Sequence, residues 1–189
     1  MRIIPRTYFR YKFANSVFNG LTVGAIFTMY APLDPSIFSI GGILLAIGLI
    51  IVAKFYDRLI EIRKFFQISM LVELVMVGAV LAYLIHPYTY MTALLIYGGY
   101  QFVFTFGSYL VRTETLFLPR KKLLSWLDIY KQSGYLAGLA LSWAFYALLS
   151  SGFGINDKQE TVYLIHWLLL LNELVIIALL YRSFAKEPR

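Results

Sequence analysis

Six apolar runs, each close to twenty residues long, follow one another along the 189 residues, and no other feature restricts the chain so strongly. They cover residues 13–31, 36–53, 66–85, 89–111, 128–150 and 161–181. About 20 residues of helix, rising 1.5 Å each, cross the ~30 Å hydrocarbon layer of a bilayer, so every run is long enough to span one. None alternates with period two, which argues against a β-barrel. With 60% of residues hydrophobic and 14% charged, a soluble domain of this size could not cover its apolar surface. The expected fold is an all-α membrane protein, one domain over residues 1–189 with six transmembrane helices.

Turn chemistry separates the runs: Pro32, Asp34 and Pro35 after the first, His86 and Pro87 after the third, and residues 150–157 after the fifth. Such short turns make neighbouring helices antiparallel. Of the seventeen Lys and Arg, all but Lys158 then fall on one side of the membrane. Basic loops stay in the cytoplasm, so both termini are expected there, in a multi-pass protein of the inner or plasma membrane. The net charge of +7 is accordingly read as contact with the lipid surface and not with nucleic acid. The basic start is not read as a cleaved signal, because Asn15 and Asn19 interrupt the following run and no A-x-A site closes it.

Polar residues within the runs are the candidate functional groups. Asn15, Asn19 and Thr22 follow i, i+4, i+7, as do Gln101, Thr105 and Ser108, so each set occupies one helix face. Amides and hydroxyls there would suit a neutral or zwitterionic solute, or would simply bond helix to helix. Glu73 and Glu173 recur in similar words, Glu-Leu-Val each time, and lie at matching depth, ~13 Å from the cytoplasmic boundary. An intramembrane acid is either a proton site or a neutral group bonded between helices. Gly20 with Gly24, Gly98 with Gly99 and Gly134 with Gly138 mark close helix packing. Tyr163, His166 and Trp167 read as an interfacial belt. Without cysteine, metal-spaced histidines or a phosphate loop, no metal site, cofactor or enzyme activity is expected.

The basic loops carry their own patterns. Asp57 and Arg58, followed by Arg63 and Lys64, could form with Arg112 an ion-pair cluster that one conformation keeps and another breaks, a cytoplasmic gate, or could be a positive-inside anchor with one incidental acid. The stretch from Arg120 to Leu127 reads as a short interfacial helix or as an ordinary loop with an aromatic anchor at Trp126.

The loop Ala53-Lys-Phe-Tyr-Asp57-Arg58-Leu-Ile-Glu61-Ile-Arg63-Lys64 resembles the major facilitator superfamily, whose second-to-third helix loop runs Gly, Asp-Arg, then Gly-Arg-Arg or Gly-Arg-Lys. The charges match, with Ala53 and Ile60 at the glycine positions and the closing cations displaced by about two residues. Arg112, Leu116 to Pro119, Leu127-Asp128 and Gly134 to Gly138 look like the fourth-to-fifth helix segment of that family, without the glycine-proline signature of its antiporter branch. The resemblance covers all six runs in order, as the amino-terminal half of a twelve-helix member. It implies that the first and fourth helices line a cavity while the third and sixth are peripheral. The function implied is a half-size secondary transporter, moving a small solute by alternating access after pairing, as a homodimer or with another membrane subunit. The alternative is a membrane scaffold or assembly subunit without transport.

Overall fold

The computed structural model describes residues 1–185. Lys186 and Arg189, counted with the basic side above, lie outside the described residues. The chain is helical almost throughout: α1 (Pro5–Tyr30), α2 (Pro35–Lys54), α3 (Tyr56–Leu59), α4 (Ile62–Ile85), α5 (Tyr90–Phe117), α6 (Lys121–Phe153) and α7 (Lys158–Arg182). Two-residue strands, β1 (Arg2–Ile3) and β2 (Phe184–Ala185), pair antiparallel and bring the two ends of the chain together.

All six apolar runs become long helices, and the turns fall where Pro, Asp and Gly place them. Pro5 and Pro35 occupy the first turns of α1 and α2, where a missing N–H forfeits no hydrogen bond. Thr89 and Asp157 cap α5 and α7 by accepting from Thr92 N–H and Glu160 N–H. Gly154 ends α6 in the left-handed conformation, with φ 68°. The helices outrun the apolar stretches at the basic end, because backbone hydrogen bonding continues into polar flanks until a proline or an extended residue stops it. Thus α6 begins at Lys121, and the expected interfacial helix from Arg120 to Leu127 is instead the first two turns of one continuous helix.

Five of these helices, α2, α4, α5, α6 and α7, are long and apolar enough to cross a membrane. Among the long helices the exception is α1, interrupted by Asn15, Ser16, Asn19, Thr22 and Thr28. Position explains the difference. Helix α1 packs along α6 on one side and α7 on the other, and buries twelve of its residues. Helix α2 buries only Gly41 and Val52, leaving Ile40, Ile43, Leu44, Ile47, Ile50 and Ile51 on the outside. A contiguous apolar face of that size is what a bilayer or a partner covers.

The packing has an internal symmetry. The main contacts are α1 with α6 and α7, α5 with α2 and α4, and α4 with α7. Exchanging α1 with α5, α2 with α6 and α4 with α7 turns each of these pairs into another of the set. Glycines make both outer contacts close: Gly134 and Gly138 of α6 face the α1 backbone at Phe13 and Val17, while Gly41 and Gly48 of α2 face the Tyr97 and Thr105 side chains of α5.

The basic end is stitched by aromatic rings, Phe65 lying 6.0 Å from Phe117 and 5.9 Å from Phe184 between ring centroids. At the other end Tyr88, held at φ 65°, donates its hydroxyl to Gln159 O at 2.6 Å and ties the α4–α5 turn to the start of α7.

Candidate functional site

One stripe of α1, Tyr8, Tyr11, Lys12 and Asn15, reaches alternately to two buried acids. Tyr8 donates to Glu114 Oε1 of α5 at 2.5 Å, and Tyr11 donates to Glu73 Oε1 of α4 at 2.6 Å. Asn15 adds a donor to Glu73 at 3.2 Å. Lys12 Nζ lies 2.5 Å from Glu114 Oε1, and Lys131 Nζ of α6 lies 2.6 Å from Glu114 Oε2. Glu114 is thus enclosed by two ammonium groups and a phenol, and this charge triad joins α1, α5 and α6.

Sequence reasoning missed Glu114, because it lies just beyond the apolar run 89–111 and looks like a loop acid. The available signal was the lack of any Gly or Pro from Ser108 to Leu118, which lets α5 continue to Phe117. Two cations assigned to the membrane surface, Lys12 and Lys131, are in fact bound inside the bundle. Helix α1, partly polar, is the element that carries the matching donors to both acids.

Glu173 of α7 is fully buried, and among the described residues neither of its carboxylate oxygens has a hydrogen-bond partner. Its neighbour Asn172 donates to Ala14 O of α1 at 3.0 Å. A cavity of 160 Å³ between α1, α4, α5 and α7 is lined by Tyr11, Lys12, Asn15, Asn19, Glu73 and Glu173, with Phe18, Tyr100, Phe104 and Leu110 among its apolar walls. Asn19 is exposed and stands on its open side. The structure therefore brings together Asn15, Asn19, Glu73 and Glu173, two elements of the α1 stripe and both intramembrane acids.

The other expected residues lie elsewhere. Thr22 points to a small apolar space shared with Met76, Tyr100 and His166, and donates to Asn19 O at 2.9 Å. Gln101 and Thr105 line a groove against α2, together with Gly41 and Leu44, and Thr105 donates to Gln101 O at 2.9 Å. Ser108 is on an open groove of 640 Å³ with Tyr56 and Arg112. The α5 stripe is thus divided between α2 and the basic end instead of facing the α1 stripe. His166, expected at an interface, is buried and stacks on Tyr83 with ring centroids 3.9 Å apart, while Trp167 faces outward.

At the basic end Asp57, Arg58, Arg63 and Arg112 are exposed. Among the described residues Asp57 has no ion-pair partner. Arg112 lies over the Tyr56 ring at 5.8 Å, Arg58 over Phe55 at 5.9 Å, and Lys64 donates to Arg58 O at 2.5 Å. Lys64 also pairs with Glu61 at 3.9 Å, while Arg58 and Arg112 are held by stacking, and the expected cluster around Asp57 is not formed in this conformation.

Among the described residues no group of three or more His, Cys, Asp and Glu side chains is placed to hold a metal. Fold and site together define an all-α protein whose helices are compatible with repeated passage through a membrane and whose core holds a polar cluster. No protein-family model, curated protein or solved structure matches the chain.

Proposed function

We propose that the chain is a half-size secondary transporter related to the major facilitator superfamily, moving a small solute by alternating access as a pair, most simply a homodimer. In this reading α1 is the sixth membrane-crossing helix and both termini are cytoplasmic. The observation that carries it is the cavity beside α1, where Asn15, Asn19, Glu73 and Glu173 converge within a shell of apolar helices. Intramembrane ionisable groups are costly and tend to mark pathways. Support also comes from the packing, whose exchange of α1–α2–α4 with α5–α6–α7 is the arrangement expected of a three-plus-three repeat. One bundle offers only a one-sided cavity, and two copies in the same orientation can close it about an axis along the membrane normal.

The scaffold reading is favoured by one observation: Gln101 and Thr105, expected to face the same space as Asn15, pack against α2. Mass measurement in native lipid, combined with solute uptake by reconstituted vesicles, separates the two. A homodimer that takes up solute supports the transporter; a strictly monomeric active unit excludes pairing, and constant isolation with a different protein favours the scaffold. Reporters fused after the carboxyl terminus and inserted near Asp157 are expected to be active on opposite sides, the first only in the cytoplasm.

A further inference from the structure

We infer that the cavity beside α1 takes a small organic ammonium ion, with Glu173 as its counter-charge and aromatic rings as its walls. This deepens the transporter reading and rests on it for taking the cavity as a substrate site. It departs from the neutral or zwitterionic solute that amide stripes alone suggest.

The acids of the core are unequally satisfied. Glu114 has two ammonium groups and a phenol, and Glu73 has Tyr11 and Asn15. Glu173, equally buried, has no hydrogen-bond donor among the described residues and borders the cavity. A buried carboxylate without a donor is costly, so the site favours an occupant that brings both N–H groups and positive charge. Lys12 borders the same space, but its ammonium group is held by Glu114.

The remaining walls decide which cation fits. Phe18, Tyr100 and Phe104 contribute aromatic side chains to the lining and Leu110 an aliphatic one. A metal ion needs oxygen ligands on all sides, which these walls do not supply. A proton on Glu173 removes the charge yet leaves a buried hydroxyl and carbonyl unpaired. An alkylammonium meets both demands, with N–H donors toward the acid, an apolar body against the walls and a cation–π contribution from the rings. The 160 Å³ of space is comparable with the roughly 150 Å³ that admits a benzene-sized molecule. That space suits an amine with a few carbons. A ligand carboxylate would face Glu73 and Glu173 with Lys12 already bound, so amino acids are disfavoured.

The test is titration of the protein in lipid nanodiscs with butylammonium chloride at neutral pH, following the thermal midpoint, against potassium chloride at equal ionic strength and against 1-butanol. The expected result is a saturable rise with butylammonium alone, weakened at least tenfold in Glu173→Gln and unchanged in Glu61→Gln, an exposed acid outside the cavity. A response no larger than that of potassium chloride, or unaltered affinity in folded Glu173→Gln, overturns the inference. If Glu173→Gln does not fold, Phe104→Leu decides: it keeps both acids and is expected to bind several-fold more weakly, and unchanged affinity overturns the proposal. Saturable binding by a strictly monomeric chain would keep this inference and remove the paired mechanism. Uptake of a neutral solute by a dimer that binds no ammonium would do the reverse.

Discussion

Lys12 Nζ lies 2.5 Å from Glu114 Oε1, with only 12% and 2% of the two side chains exposed. Removing one partner of a buried pair leaves an uncompensated charge, at a cost of about 3–5 kcal/mol. Glu114→Gln is therefore expected to lower the unfolding free energy by about 3 kcal/mol, leaving Lys12 and Lys131 facing one another without a counter-charge. Lys131→Met should cost less, since its side chain is 24% exposed. Adding Lys12→Met to Glu114→Gln should recover part of the loss. Equilibrium unfolding in detergent micelles measures each value, and strictly additive effects would show that the three groups are not coupled.

Tyr11 and Asn15 both donate to Glu73, so this acid can be tested for titration separately from structure. Tyr11→Phe removes one hydrogen bond to a charged or chargeable group and is expected to cost about 1.5–3 kcal/mol. Glu73→Gln and Glu173→Gln should both fold, because glutamine matches glutamate in size, keeps one acceptor oxygen for the Tyr11 hydroxyl and removes the titration. In vesicles, uptake by either variant is expected to lose its pH dependence. Wild-type pH dependence in both would assign the two acids to packing.

The α1–α6 contact is a close approach of two backbones, and small residues permit it. A Cβ on Gly20 would stand 2.7 Å from Leu139 N and 2.8 Å from Gly138 Cα, and one on Gly138 would collide with Val17 O. Gly138→Ala is expected to destabilise by about 1–3 kcal/mol by forcing the helices apart. Gly78→Ala and Gly98→Ala, with nothing within 4 Å of the added carbon, should instead stabilise by about 0.5–1 kcal/mol through helix propensity. Thermal unfolding of the three variants side by side checks both signs.

Arg112 rests on Tyr56, whereas Asp57 is exposed and has no ion-pair partner among the described residues. A double-mutant cycle on Arg112→Gln and Tyr56→Ala should give a coupling of about 0.5–1 kcal/mol. The corresponding cycle on Arg112 and Asp57 should give almost none in this conformation. Strong Asp57–Arg112 coupling would point to a second conformation in which the two side chains meet.

The helices and their turns were legible in the sequence because apolar length and Pro, Gly and Asp punctuation act locally. Which face of a helix meets which neighbour is a tertiary question, and there the reading divided. Gly134 and Gly138 were readable as a close contact, since small residues four apart have few other uses in an apolar helix. Gly98 and Gly99 are adjacent and cannot share a face: Gly98 meets nothing and only Gly99 reaches α4, at Val75 and Ala79. Asn15 and Glu73 were each readable as costly polar groups, but their hydrogen bond spans fifty-eight positions and no local pattern encodes it. Glu114 escaped notice because hydropathy marks where a helix is apolar and not where its hydrogen bonding stops. The stripe of Gln101, Thr105 and Ser108 is split, the first two against α2 and the third at the basic-end groove: periodicity states that residues align, and not what they align with.

The meeting of β1 with β2 also orders events during synthesis. Helix α1 is made before its principal partners α6 and α7, and Arg2–Ile3 can pair with Phe184–Ala185 only after all the intervening helices have been made. At about 5–20 residues per second, that delay is on the order of ten seconds or more. Over that interval α1, the least apolar long helix, meets its neighbours in two stages: Glu73 of α4 and Glu114 of α5 become available to Asn15 and Lys12 before α6 and α7 close over its other faces. Helix α1 is therefore without its two largest contacts until α6 and α7 have been made.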